Sequence, residues 1–64
     1  MQKLKELVSG LKLLYIEDDE LIRNEFVRTL KRLFNNIEVE IDGKKGLEKV
    51  IKDNKIDLII TDIN

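Results

Sequence analysis

Leu11-Lys12-Leu13-Leu14-Tyr15-Ile16-Glu17-Asp18-Asp19-Glu20 is the stretch that decides the fold. From Leu11 to Ile16 it is apolar except for Lys12 and ends on Tyr15 and Ile16, which favours a buried strand. Three acids stop the run, and from Asp19 the period changes. Ile22, Phe26, Leu30 and Leu33, flanked by Leu21, Val27 and Phe34, recur at spacings of three and four. Arg23, Asn24, Arg28, Lys31 and Arg32 fill the opposite face. This pattern predicts an amphipathic helix of about four turns. Asp19 suits its N-cap, Glu20 its first turn, and Lys31 and Arg32 its last, where each charge matches the helix dipole. Asn35-Asn36 ends it.

The neighbouring segments extend the same alternation of elements. Before the strand, Leu4, Leu7 and Val8 stand at helical spacing and Ser9-Gly10 follow, so residues 1–10 read as a leader or a short helix closing at Gly10. After the helix, Ile37-Glu38-Val39-Glu40-Ile41 alternates strictly, the mark of a strand with one wet face. Asp42-Gly43 reads as a turn. Leu47, Val50 and Ile51 then mark a second helix, with Lys44, Lys45, Glu48, Lys49 and Lys52 outside, and Asp53-Asn54-Lys55 breaks it. Ile56-Asp57-Leu58-Ile59-Ile60-Thr61 is a nearly continuous apolar strand delivering Asp62.

The order β-α-β-α-β calls for a parallel sheet with helices on its faces. Right-handed crossovers leave two arrangements, 2-1-3 and 1-2-3. Ligand sites in open α/β sheets form beyond the carboxyl ends of strands where the order reverses. Two strands here end in acids, the first in Glu17-Asp18-Asp19 and the third in Asp62. Only the 2-1-3 order makes them neighbours, about 4.8 Å apart. That order is the expectation.

Composition narrows the function. Sixty-four residues make one small domain, and a chain near this size buries only about 60% of its unfolded surface. No cysteine is present to form a disulfide or thiolate site, and no histidine to serve a zinc site or a His-based triad. Twelve basic residues balance thirteen acidic ones, leaving a net charge of −1 without like-charge blocks. That argues against nucleic-acid binding or a polybasic membrane segment. The longest apolar run near the N-terminus, Leu13 to Ile16, is too short for a signal peptide or a bilayer span. A cytoplasmic location is expected.

Carboxylates gathered at one sheet edge repel, so they share protons or hold a cation. Oxygen donors alone favour magnesium, calcium or manganese. Magnesium takes one or two carboxylates together with a substrate phosphate, which suggests phosphoryl chemistry with Asp62 as a possible nucleophile. The plainer reading is that Asp18 or Asp19 caps the first helix and Asp62 a following one.

The chain resembles the N-terminal half of a bacterial response-regulator receiver domain, a flavodoxin-like fold phosphorylated on aspartate by a histidine kinase. The resemblance rests on Leu13-Leu14-Tyr15-Ile16-Glu17-Asp18-Asp19-Glu20, Asp42-Gly43-Lys44-Lys45-Gly46-Leu47 and Asp57-Leu58-Ile59-Ile60-Thr61-Asp62-Ile63-Asn64. It covers residues 11–64, expected as a truncated receiver domain of three strands and two helices. The resemblance implies Asp62 as phosphoacceptor, Asp18 as direct magnesium ligand and Glu17 acting through water. It also implies the Asn64 backbone carbonyl as a further ligand, and a histidine kinase or phosphotransfer protein as partner. Asp19 and Glu20 fit the helix start, while Asp57 and Asp42 read as surface and turn residues.

The family's fourth and fifth strands, its phosphoryl-contacting Thr or Ser and its Lys have no counterpart here. Lys44, Lys45 and Lys55 sit on the wrong elements. The chain by itself is therefore expected not to be an enzyme, although a full-length parent would catalyse its own aspartyl phosphorylation and dephosphorylation. An uncovered third strand is also expected to self-associate through residues 56–62. Two rivals stand beside this reading. One is a half-domain that does nothing but self-associate. The other is a haloacid-dehalogenase-like phosphatase fragment, which would leave Glu17-Asp18-Asp19 unexplained.

Overall fold

Lys12–Ile16 forms β1, the middle strand of a three-stranded sheet in the computed structural model, which describes residues 2–61. Asn36–Glu40 forms β2 on one side of it and Leu58–Thr61 forms β3 on the other, both parallel to β1. The fold is α/β with sheet order β2-β1-β3, as the acids at the strand ends required. Lys12 is in register with Asn36, and Leu13 with both Ile37 and Leu58. Three helices complete the described residues: α1 (Gln2–Val8), α2 (Glu20–Leu30) and α3 (Gly43–Lys52).

The apolar run that predicts β1 is buried because helices cover both of its faces. Leu13 and Leu14 have no exposed surface, Tyr15 is 1% exposed and Ile16 6%. Leu13 and Tyr15 join Leu30 and Phe34 in the core beside α2. Val8, Leu11, Val27, Leu33, Ile37, Val39 and Ile60 pack around that cluster, and the Tyr15 and Phe26 rings sit 5.9 Å apart. Leu14 and Ile16 point the other way, as strand alternation requires. There α3 lies close enough that Gly46 fits where a larger residue would not. A methyl at Gly46 would stand 2.9 Å from Ile16 Cγ1.

Several local expectations need correction. The regular part of α2 stops at Leu30, after three turns rather than four. Arg32 and Leu33 donate to carbonyls three residues back, so the chain tightens and then turns, and Phe34 still enters the core. Strand β3 begins at Leu58 rather than Ile56. Gly43 opens α3 instead of forming a turn, and Asp42 is its N-cap, its carboxylate accepting from Lys45 N–H at 2.7 Å. Gly10 has no left-handed φ, so α1 closes without the expected glycine cap. The Ser9 carbonyl instead accepts from Asn35 N–H at 3.4 Å. Asp57 is exposed but not idle, since its carboxylate accepts from Lys12 N–H at 2.9 Å and its own N–H donates to Lys12 O.

The face of β2 expected to be wet is partly roofed by α3, and one of its two acids, Glu38, is paired. Glu38 Oε2 lies 3.4 Å from Lys49 Nζ, and Glu38 Oε1 lies 3.9 Å from Lys12 Nζ. Lys12 Nζ also donates to the Asp53 carboxylate at the end of α3. That hydrogen bond, followed by one from Lys55 N–H, holds the Asp53 carboxyl below the usual carboxylate range. The same bond raises Lys12. The Asp53 contribution is complete above the unfolded carboxylate value of about 3.9 and fades as pH falls through the lower folded value. Urea midpoints of wild type and Asp53→Asn are therefore expected to differ most near neutral pH and to draw together as pH falls below the ordinary carboxylate range. Parallel pH profiles would show that the pair stabilises nothing.

Candidate functional site

The carboxyl end of β1 is where the acids gather, and backbone pairing fixes the first of them. Glu17 N–H donates to Glu40 O at 3.1 Å, extending the β1–β2 ladder one residue past Ile16. This holds Glu17 against the sheet, and the residue is only 2% exposed. Its carboxylate Oε2 accepts from Asp19 N–H at 3.0 Å. Oε1 is buried without a hydrogen-bond partner among the described residues. The Glu17 carbonyl accepts from Arg23 Nη1 at 3.0 Å.

Asp18 is exposed at the bend between β1 and α2. Asp19 caps α2, with extended φ −81° and ψ 118° and Oδ1 accepting from Ile22 N–H at 3.0 Å. Glu20 opens the first turn. Both serve the helix start, as expected of them. This leaves Glu17 and Asp18 as the carboxylates not consumed by capping.

The third strand runs to the same end. Ile16 is in register with Thr61, so Glu17 and Asp62 are the next residues in sequence after a paired couple on adjacent parallel strands. The expected phosphoacceptor Asp62 and the expected carbonyl donor Asn64 lie outside the described residues. Among the described residues, no group of three or more His, Cys, Asp or Glu converges to hold a metal. Of the expected site residues, Glu17 and Asp18 are the two that lie within the described residues. An oxygen-only pair with one buried, unpartnered oxygen suits a hard cation such as magnesium.

Sequence reading missed Arg23. Its place in the polar set of α2 suggested solvent, yet its guanidinium folds back onto the Glu17 carbonyl. The available signal was position. Arg23 lies one helical turn after Asp19 and donates its backbone N–H to the Asp19 carbonyl at 2.8 Å, so the side chain starts beside the acids. Arg23 also lines an open groove of about 540 Å³ between α2 and β2, with Asn24, Val27, Arg28, Lys31 and Val39. That groove is cationic and apolar and does not include Glu17 or Asp18.

No helix among the described residues is long and apolar enough to cross a membrane. Comparisons with protein-family models, curated proteins and solved structures return no match.

A buried carboxylate oxygen without a donor is a cost until something neutralises it. In metal-free buffer at pH 7, Glu17→Gln is expected to raise unfolding stability by about 1–3 kcal/mol. Denaturant titration checks this. A loss of stability would mean that the charge already has a compensating partner in the metal-free protein.

Proposed function

We propose that this chain supplies the acidic half of a receiver-type phosphoacceptor site. In this reading Asp62 takes a phosphoryl group from a phosphohistidine of a kinase or phosphotransfer protein. The observation that carries the reading is the buried Glu17 carboxylate, held by Asp19 N–H on one oxygen and without a partner among the described residues on the other. A surface acid that merely capped a helix would not be driven 98% out of solvent at the end of a central strand.

The roles are those that the resemblance to receiver domains implies. Asp18, at the exposed bend, would be the direct ligand to magnesium, and Glu17 would act through water. By the same resemblance Asp62 and the Asn64 carbonyl would complete the set. A bound magnesium ion would neutralise charge on the oxygens of the transferring phosphoryl group. An Asp62 carboxylate oxygen attacks phosphorus, the P–N bond to the donor imidazole breaks, and the imidazole leaves with the electron pair. The product is an acyl phosphate. Arg23 holds the Glu17 backbone and with it the direction of the acidic pair.

These 64 residues contain no Thr/Ser and Lys placed as the receiver family uses them, so phosphorylation of this chain alone is expected to be weak or absent. The surroundings of such a site are cytoplasmic, where the histidine kinase's donor and magnesium are found.

Magnesium that binds only the folded chain must stabilise it. At a hundredfold excess over its dissociation constant the gain is about 2.7 kcal/mol. Thermal unfolding with increasing magnesium is expected to show a saturable rise in midpoint, abolished by Asp18→Asn and by Asp62→Asn. A phosphatase of the haloacid-dehalogenase kind would retain the effect in Asp18→Asn. No rise at all, or an equal rise in both variants, would overturn the proposal.

A further inference from the structure

The β2 side of the molecule carries a groove of one charge sign. It opens between α2 and β2, holds about 540 Å³, and is lined by Arg23, Asn24, Val27, Arg28, Lys31 and Val39. That volume falls within the roughly 300–1,000 Å³ of ordinary ligand sites. No acid lines the groove, although the chain as a whole is slightly acidic at −1. It lies across β1 from β3, and the free edge of β3 plays no part in it.

Little in the fold neutralises the three cations. Lys31 makes no ion pair among the described residues. Arg28 meets only Glu25, at 3.9 Å, and those side chains are 72% and 71% exposed. Exposed pairs of that kind contribute little. Arg23 is half-buried and donates to the Glu17 carbonyl, a neutral acceptor that leaves its charge uncancelled.

Between the cations the floor is apolar. Val27 and Val39 are half-buried, packed on the core cluster beneath and open to the groove above. A small inorganic anion would pair with the cations and leave both valines wet. A nucleic-acid backbone would do the same, and the net charge of the chain would oppose it. A peptide that carries both carboxylates and aliphatic side chains matches both features. Its acids reach Arg28 and Lys31 on the rim while an aliphatic residue covers the valines.

We propose that this groove docks an acidic peptide segment of a partner protein, one in which aliphatic residues stand among the acids. The inference does not depend on the phosphoacceptor reading, since neither Glu17 nor Asp18 lines the groove.

Fluorescence anisotropy with a short labelled peptide alternating glutamate and leucine tests it. Saturable binding is expected, and replacing every glutamate by glutamine should weaken it tenfold or more, or about 1.4 kcal/mol. The double variant Arg28→Glu/Lys31→Glu should weaken it by as much. Lys44→Glu, on α3 across the sheet, should leave it within about twofold. Lys31 is exposed and unpaired among the described residues, so Lys31→Gln separates loss of docking from loss of folding, with circular dichroism as the check. No binding at peptide concentrations up to about 1 mM would overturn the proposal. Equal binding of an all-glutamate peptide or of oligothymidylate, or equal weakening by Lys44→Glu, would do the same.

Discussion

The burial of β1 is the constraint on which the other elements depend. Four consecutive side chains, Leu13 to Ile16, are almost completely removed from water, and successive residues in a strand point to opposite faces. One helix layer cannot bury them. The chain therefore has to place α2 on one face and α3 on the other, with β2 and β3 on either side of β1. At roughly 1.5–3 kcal/mol for each large apolar side chain fully buried, this short segment supplies much of what a 64-residue domain can gather. The close approach of Gly46 to Ile16 and the charge pairs among Lys12, Glu38, Lys49 and Asp53 hold α3 in that arrangement.

Placing β1 in the middle also sets where the acids gather. A strand that must end beneath the start of a helix delivers its next residues to the sheet's carboxyl edge. Glu17 inherits the burial of Ile16 through one further ladder hydrogen bond, and Asp19 is taken by the helix cap. The acids are thus sorted by geometry into a buried one, an exposed one and a structural one. The register of Ile16 with Thr61 brings the third strand to the same edge.

Much of the fold was legible because it rests on patterns the sequence states strongly. The apolar run of β1, the three-and-four stripe of α2 and the alternation of β2 each name their element. The sheet order followed from asking which strands could bring their acids together. What the sequence could not show depended on contacts between elements. Glu38 and Glu40 alternate as a wet face should, and nothing local reveals that Lys49 and Lys12 would pair with Glu38. Gly46 looks like one glycine among three until α3 is laid on Ile16. The end of α2 was overread because Leu33 and Phe34 keep the apolar spacing after the helix has tightened into a turn. At the site, Glu17 and Asp18 were readable as a pair, whereas Arg23 depended on a side chain folding back six residues to a carbonyl.

The central claim is that a cation is held at the carboxyl end of β1 and β3. Amide chemical shifts of the ¹⁵N-labelled chain, followed during magnesium titration, address it directly. The account predicts saturable shifts concentrated at residues 16–19, at Arg23 and at residues 61–64, with the Glu38–Lys49 side of the sheet unmoved. Shifts confined to the acids around α3, or none at any magnesium concentration, would contradict it.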